Sequence, residues 1–324
     1  MPPGDTIILN NFDELPDSIR HIIDSITTLN LYQLSEDDKR PQFLFPQWQI
    51  ILFVFLVAFS SAYFYIIRPA SAEKRKIKKI LGSSSAENTI ARIQYDQWLH
   101  KYNPYYQSLP GGLKKRFLRR TLGFKASKEF RFHYMQPDEL PALLISGAAV
   151  QLTFGLKHFL IDFFPVINIV KREYSYSGGN NVVEGHVRAD KRTISISWNN
   201  FIYDYEDYSD SQNVGLHELA HAISYDFLYG FKENMQPHYE DGLKKYIQVA
   251  APVFKELRQG KRHIIDDYAA INVEEFWAVS IETFFENPEE FRNKLRGLYD
   301  AVCDLLNQDP LRDDKIINKG LAGL

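Results

Sequence analysis

Two histidines and a glutamate in the stretch NVGLHELAHAISYDF have the residue types and the spacing for metal chemistry. His217 and His221 are four residues apart, so in a helix both imidazoles lie on one face and can reach the same point in space. Neutral imidazole nitrogens are good zinc ligands, and Glu218 is placed to act on water held by such a metal. The alternative is a buried helix whose histidines are merely solvated or hydrogen-bonded.

Glu275 is the candidate for the third protein ligand that a catalytic zinc usually has. It lies in the segment DDYAAINVEEFWAVSIETFFENPEEF, where Asn272 predicts the start of a helix. The apolar face of that helix is predicted to comprise Phe276, Val279, Ile281 and Phe284. The residues alone leave two interpretations open: Glu275 is a ligand, or it forms a capping box with Asn272 and accepts a hydrogen bond from a backbone N–H.

The elements around these residues follow from the apolar pattern. Helical spacing surrounds both histidines, with Leu216, Leu219, Ala220 and Ile223 on one face. The stretches VINIVKREYSYS and TISISW alternate with period two and predict strands. The order of helices, a small sheet and further helices predicts an α+β domain. TISISW is either an edge strand along which an extended substrate lies or an interior strand.

Two uncharged stretches raise the question of a membrane. WQIILFVFLVAFSSAYFYII, residues 48–67, has the length and composition of a transmembrane helix, with a buried core helix as the alternative. The second stretch, LPALLISGAAVQLTFGL, runs from Leu140 to Leu156, is shorter and contains polar residues and glycines. We predict that it is a core helix with Pro141 in an early turn rather than a second span.

The charges that flank residues 48–67 predict an orientation. The basic residues after this stretch are Arg68, Lys74, Arg75, Lys76, Lys78 and Lys79. The segment before it is acidic, so the positive-inside rule places the C-terminal side in the cytoplasm and the N-terminus outside. The lysines either contact anionic lipid or serve only as the topology signal. The predicted organisation is an acidic N-terminal region (1–47), a transmembrane helix (48–67), a basic and Ser-rich linker (68–90) and a folded domain (91–324).

Composition excludes some classes of function. The chain of 324 residues is 45% hydrophobic and 24% charged, which is ordinary for a globular protein. Its formal net charge of -3 leaves no basic footprint, which argues against direct nucleic-acid binding. Cys303 is the single cysteine, so a disulfide framework and a CxxC metal site are both excluded. A metal must therefore be held by histidine and carboxylate.

HELAH, followed about fifty residues later by YAAINVEEFWAV, resembles the Mlc titration factor A family, also called glucose-regulated metallopeptidases. The catalytic unit of that family is in turn similar to the catalytic domain of anthrax lethal factor. The resemblance implies a zincin-like fold with an active-site helix. It also implies that zinc is bound by His217, His221 and Glu275, that Glu218 is the general base and that Tyr268 assists.

The family spacing of seven residues between the tyrosine and the third ligand holds for Tyr268 and Glu275, and it favours Glu275 over Glu274 and Glu282. Without that spacing a tyrosine near Glu275 is unremarkable, because the chain has 19 tyrosines. The chain departs from the family pattern in its predicted anchor. It also reads AISYDFLYG after HELAH, where the family has a short Leu-Asp sequence.

Two functions are predicted from this resemblance together with the predicted membrane anchor. The first is a membrane-anchored zinc peptidase, facing the cytoplasm, that hydrolyses peptide or protein substrates with a metal-activated water. The second is a zinc-stabilised binding module that sequesters a regulatory protein partner, as the family member that gives the family its name sequesters a transcriptional repressor. Glu218 discriminates between them, since a pure binder needs the ligands but not the base.

Overall fold

The computed structural model describes residues 86–175, 182–208, 210–229, 237–312 and 315–316. The predicted acidic region 1–47, the predicted span 48–67 and the predicted linker up to residue 85 lie outside the described residues. Among the residues described, no helix has both the length and the apolar character needed to cross a bilayer. The first described helix begins at Ala86, so residues 86–90 of the predicted linker are helical.

Helices dominate the described part of the chain, and the strands are short. The helices are Ala86–Tyr102 (α1), Pro104–Ser108 (α2), Gly111–Ser127 (α3), Glu139–Thr153 (α4), Trp198–Glu206 (α5), Val214–Tyr229 (α6), Pro237–Arg258 (α7), Val273–Glu286 (α8), Pro288–Lys294 (α9) and Arg296–Leu306 (α10), with a 3-10 helix at Asp267–Ala270. The strands are Glu129–His133 (β1), Val166–Val170 (β2), Tyr174–Ser175 (β3), Val182–Val183 (β4), Gly185–Arg188 (β5) and Thr193–Ser197 (β6). The α+β prediction is confirmed.

Four strands form the main sheet in the order β1-β2-β6-β5. β1, β2 and β6 are parallel, whereas β5 is an antiparallel edge strand. β1 and β5 were not predicted from the sequence, although EFRFH of β1 alternates polar and apolar residues with period two. GHVR of β5 shows no such alternation. β3 and β4 form a separate two-stranded sheet.

β6, the TISIS strand, is interior, so the edge-strand interpretation of TISISW is wrong. It pairs with β2 on one side and with β5 on the other. The two serines of this strand, Ser195 and Ser197, are both buried. Hydrogen bonds offset the cost of burying these hydroxyl groups: Asn168 Nδ2 donates to Ser195 Oγ at 3.1 Å, and Ser197 Oγ donates to Asn200 Oδ1 at 2.5 Å.

α4 confirms the prediction of a core helix over LPALLISGAAVQLTFGL. Every residue from Pro141 to Thr153 is buried, and Asp138 caps the helix by accepting from the Leu140 N–H at 3.2 Å. The fully buried Arg120 guanidinium closes the other end by donating to the carbonyls of Thr153 and Leu156 at 3.2 and 2.9 Å. A cation at a helix C-terminus satisfies carbonyls that have no partner within the helix.

α6 packs against α4 and against strands β5 and β6, and α8 packs on another side of α6. The predicted apolar face of α6 is confirmed, since Leu216, Leu219, Ala220 and Ile223 are all buried. α8 is buried almost all round from Phe276 to Glu286, rather than along one face only. The Trp277 indole N–H donates to the Ala220 carbonyl at 2.8 Å and so locks the middle of α6 to α8.

Candidate metal centre

His217 and His221 lie one turn apart on the face of α6 that is not fully buried. Their side chains are 17% and 12% exposed. The two Nε2 atoms are 3.1 Å apart, and the ring planes are inclined by 77°. The spacing of four residues therefore brings both Nε2 atoms to one point, as the sequence predicts.

Glu275 reaches the same point from the first turn of α8. Its Oε2 lies 2.9 Å from His217 Nε2 and 3.5 Å from His221 Nε2. One ligand atom from each of the three residues lies within 4.8 Å of the other two, the one such group among the described residues. Only half of the predicted capping box is present: Asn272 Oδ1 accepts from the Glu275 N–H at 2.8 Å, but the Glu275 carboxylate faces the imidazoles.

The chemistry of this donor set fits a metal ion. His217 Nδ1 faces Glu282 Oε1 at 2.5 Å, which places a proton on Nδ1 and leaves the lone pair of Nε2 directed at Glu275 Oε2. While His217 is neutral, its Nε2 cannot donate a hydrogen bond to that buried oxygen. Lone pairs that face one another at this distance repel unless a cation lies between them. Two histidines and one glutamate are also a ligand set found in catalytic zinc sites.

The pKa shifts of His217 and Glu275 also indicate a site that fits a cation. Burial lowers the pKa of His217, but Glu282 and Glu275 outweigh burial and raise that pKa well above its usual value. Burial raises the pKa of Glu275, but the hydrogen bonds and charges of His217 and His221 hold it well below its usual range. The site therefore favours positive charge, which either a proton or a metal cation can supply.

Glu218 is the buried carboxyl group beside these residues. It is 7% exposed, and burial raises its pKa to about 7, partly opposed by His217 and His221. Its Oε2 has no hydrogen-bond partner among the described groups. A carboxyl group with a pKa near neutrality can both accept and return a proton at physiological pH.

Tyr268 lies at the open side of the site, on the 3-10 helix that precedes α8. Its ring centroid is 6.1 Å from that of His217, and the residue is 42% exposed. Burial and then the nearby charges of Glu275 and Glu218 raise the pKa of Tyr268 to about 12. Its hydroxyl group is therefore a hydrogen-bond donor at neutral pH.

Sequence reasoning missed two features of the site. Glu282, which was set aside in favour of Glu275, lies within hydrogen-bond distance of His217. The position of Glu282 could have predicted this contact, because a spacing of seven residues places Glu275 and Glu282 on one face of α8. The second feature is Gly185 of β5, where a Cβ atom would lie 2.5 Å from Glu218 Cγ. No sequence pattern predicted that contact.

A helix with two histidines one turn apart, a glutamate from a second helix and a buried carboxyl group beside them define the class of metal-dependent peptidases. The chain belongs to the glucose-regulated metallo-peptidase M90 family, whose family model matches residues 74–305. The predicted resemblance to the Mlc titration factor A family is thereby confirmed, whereas the likeness to lethal factor stays a prediction. Membership in this family implies a metal ion.

The chain is also similar to a protein of Synechocystis that is described as uncharacterized. The two are 28% identical over 121 residues. The matched stretch covers 36% of this chain and 44% of the Synechocystis protein. This similarity therefore says nothing of a substrate.

Proposed function

We propose that the protein is a zinc-dependent peptidase in which His217, His221 and Glu275 hold the metal. The observation that carries the proposal is the convergence of three ligand atoms within 4.8 Å of one another beside a buried glutamate. When bound, zinc supplies a Lewis acid that polarises a peptide carbonyl group and lowers the pKa of water.

Glu218 is the proposed general base. Its carboxylate takes a proton from the attacking water and then gives that proton to the nitrogen of the leaving amine. A pKa of about 7 suits both steps, because the group is neither fully ionised nor fully protonated at neutral pH. A partner-binding module needs the three metal ligands but not this carboxyl group.

Tyr268 is the proposed donor to the developing oxyanion. Its hydroxyl group keeps its proton at neutral pH, and the centroid of its ring lies 6.1 Å from that of the His217 ring. Charge appears on the carbonyl oxygen of the substrate only as water adds, so a donor at this place stabilises the transition state more than the ground state.

β5 is the proposed docking strand for an extended substrate. It is the antiparallel edge of the sheet, and Gly185 brings its backbone against Glu218. A peptide that pairs with the free side of an edge strand binds through backbone hydrogen bonds. Such a peptide on β5 would pass the candidate metal centre.

We also propose that the domain is held at a membrane by residues 48–67 and faces the cytoplasm. The support is the uncharged run of twenty residues and the basic cluster that follows it. We also propose a zincin-like fold, because the proposed zinc ligands and the proposed base are the residues that the family resemblance implies.

Peptide hydrolysis by the purified full-length protein tests the proposed activity. A panel of chromogenic peptides is offered to the metal-free protein, to the zinc-loaded protein and to zinc-loaded Glu218→Gln. We expect zinc-dependent turnover that falls roughly 10²- to 10⁴-fold in Glu218→Gln, because general acid-base catalysis contributes that much. Zinc should still bind, since Glu218 is not one of the proposed ligands.

Glu206→Gln is the matched control, because Glu206 is an exposed glutamate at the end of α5. Its turnover should equal that of the parent protein. If the parent protein binds one zinc ion yet cleaves nothing above Glu218→Gln, the peptidase proposal fails and capture of a regulatory protein becomes the better explanation.

A further inference from the structure

Glu282 lies two turns beyond Glu275 on α8 and faces the far side of the His217 ring. Its Oε1 is 2.5 Å from His217 Nδ1, whereas Glu275 Oε2 is 2.9 Å from His217 Nε2. The imidazole is thus contacted at both nitrogens by carboxylates from one helix. Glu282 is 5% exposed, so water does not compete for this contact.

The second oxygen of Glu282 is also held. The backbone N–H of Asn213 donates to Glu282 Oε2 at 2.9 Å. Asn213 precedes α6, where its Oδ1 accepts from the Leu216 N–H at 2.9 Å and its carbonyl accepts from the His217 N–H at 2.8 Å. The carboxylate is therefore fixed by the start of the same helix that carries His217.

We propose that Glu282 is a positioning residue for the candidate metal centre. It keeps the His217 proton on Nδ1 and thereby leaves the lone pair of Nε2 directed at the point shared with His221 and Glu275. The inference rests on the proposed zinc site. It goes further in assigning the orientation of one ligand to a residue that does not touch the metal position.

A glutamine at position 282 cannot replace this carboxylate. The two groups that Glu282 accepts from, His217 Nδ1–H and the Asn213 N–H, are both donors. A glutamine side chain has one acceptor oxygen and one NH₂ group, so one of the two donors would face another donor. The imidazole can then rotate or change tautomer, and its Nε2 lone pair is no longer held in place.

Zinc affinity of the full-length protein tests this assignment. The dissociation constant is measured by competition with a chromophoric chelator for the parent protein and for Glu282→Gln. We expect the constant to rise about 10- to 100-fold in Glu282→Gln, the usual effect of removing a carboxylate that orients a ligating histidine. Glu282→Asp keeps the charge on a shorter side chain, so its dissociation constant should lie between those of the parent protein and Glu282→Gln. If Glu282→Gln does not fold, Glu282→Asp is compared with the parent protein instead.

Glu286→Gln is the matched control. Glu286 lies one turn further along α8, is buried, and accepts from the Asn213 side-chain amide at 2.9 Å, but it does not contact His217. Its zinc affinity should equal that of the parent protein. Equal losses of zinc affinity in Glu282→Gln and Glu286→Gln would show that any damage to this helix pair weakens zinc binding. The positioning role would then be abandoned.

A spectroscopic measurement separates orientation from general stability. With histidines labelled with ¹⁵N and zinc at saturation, the parent protein should show a downfield Nδ1–H proton on His217, since that proton is hydrogen-bonded to a carboxylate. The signal should move upfield or vanish in Glu282→Gln.

The results separate this inference from the proposed function. Zinc binding without peptide hydrolysis refutes the peptidase and leaves the positioning role to be judged by affinity. Unchanged affinity in Glu282→Gln refutes the positioning role alone. A parent protein that binds no zinc refutes both.

Discussion

At the scale of the residue, the closest steric constraint on the site lies at Gly185. A Cβ atom there would be 2.5 Å from Glu218 Cγ and 2.9 Å from Glu218 Oε1. Cγ lies near the root of the side chain, so Glu218 cannot escape by moving its carboxylate alone. The absence of a side chain at position 185 is what allows Glu218 its present position.

We therefore predict that Gly185→Ala displaces Glu218 without removing a proposed zinc ligand. Turnover should fall roughly 100-fold, because a displacement of about 1 Å in a reacting group is enough for such a loss. Zinc affinity should not change. Steady-state kinetics and chelator competition on the same preparation measure the two quantities.

Gly112→Ala serves as the control for this substitution, because a Cβ atom at Gly112 meets nothing within 4 Å. It should leave both quantities unchanged. If Gly185→Ala keeps the full turnover of the parent protein, the position of Glu218 is not set by β5 and its proposed role as base is weakened.

At the scale of the element, α6 and α8 form an antiparallel pair that holds the site along its length. Glu275 meets both histidines, Glu282 meets His217 and the Asn213 N–H, and one turn further Glu286 meets the Asn213 side chain. Charged residues at these spacings lie on one face of α8. These contacts tie the start of α6 to α8, but of the three glutamates only Glu275 and Glu282 contact a histidine of the site.

Glu286 makes the free energy of unfolding depend on pH. Burial raises the pKa of Glu286 to about 9 from a usual value of 4.5. Between these values the folded protein keeps a proton that the unfolded chain releases, so Glu286 makes the folded state less stable as the pH rises. The contribution of neutral Glu286 to the free energy of unfolding is complete below pH 4.5 and is lost as the pH rises through about 9.

We predict that Glu286→Gln is more stable than the parent protein at pH 8 and close to it at pH 5. The difference should grow by at most about 1.4 kcal/mol per pH unit, because the glutamine has no proton to release. The measurement is the free energy of unfolding from denaturant titrations of both proteins at the two pH values.

Glu290→Gln provides the comparison, since Glu290 is an exposed residue of α9. Its free energy of unfolding should follow that of the parent protein at both pH values. A constant difference between Glu286→Gln and the parent protein across this range would contradict the proposed protonation of Glu286.

At the scale of the whole molecule, the proposed membrane anchor rests on residues 48–67 and the basic cluster behind them. We predict that a reporter that is active only in the cytoplasm, fused after Leu324, is active. The reason is that lysine and arginine next to a span are retained on the cytoplasmic side. Activity only of a reporter that requires the outside would contradict this orientation.

The matched control replaces the cluster itself. Substituting Lys74, Arg75, Lys76, Lys78 and Lys79 by glutamine removes most of the charge difference across the span. The orientation should then become mixed, whereas membrane association should persist because the apolar run is unchanged. Fractionation of the membranes and the two reporters measure these outcomes separately.

Residue spacing along the chain was enough to predict the local features of the fold and the site. The convergence of His217 and His221 follows from the period of a helix, and the core helix at Leu140 follows from a run too short and too polar to span a bilayer. The motif pair that carries Glu218 and Glu275 was enough to predict the family. Each of these inferences uses residues that are near one another in the chain or a spacing that the family repeats.

Contacts between segments that are distant in the chain could be read only from the folded protein. Folding turned the Glu275 carboxylate to the histidines and away from the cap. It also placed TISIS between β2 and β5, where the sequence leaves both an edge strand and an interior strand open. It also brought Glu282 to His217 and Gly185 to Glu218. Periodicity shows which face of an element is apolar, but the partner of a buried polar group is set by the packing of other elements, which spacing along one segment does not contain.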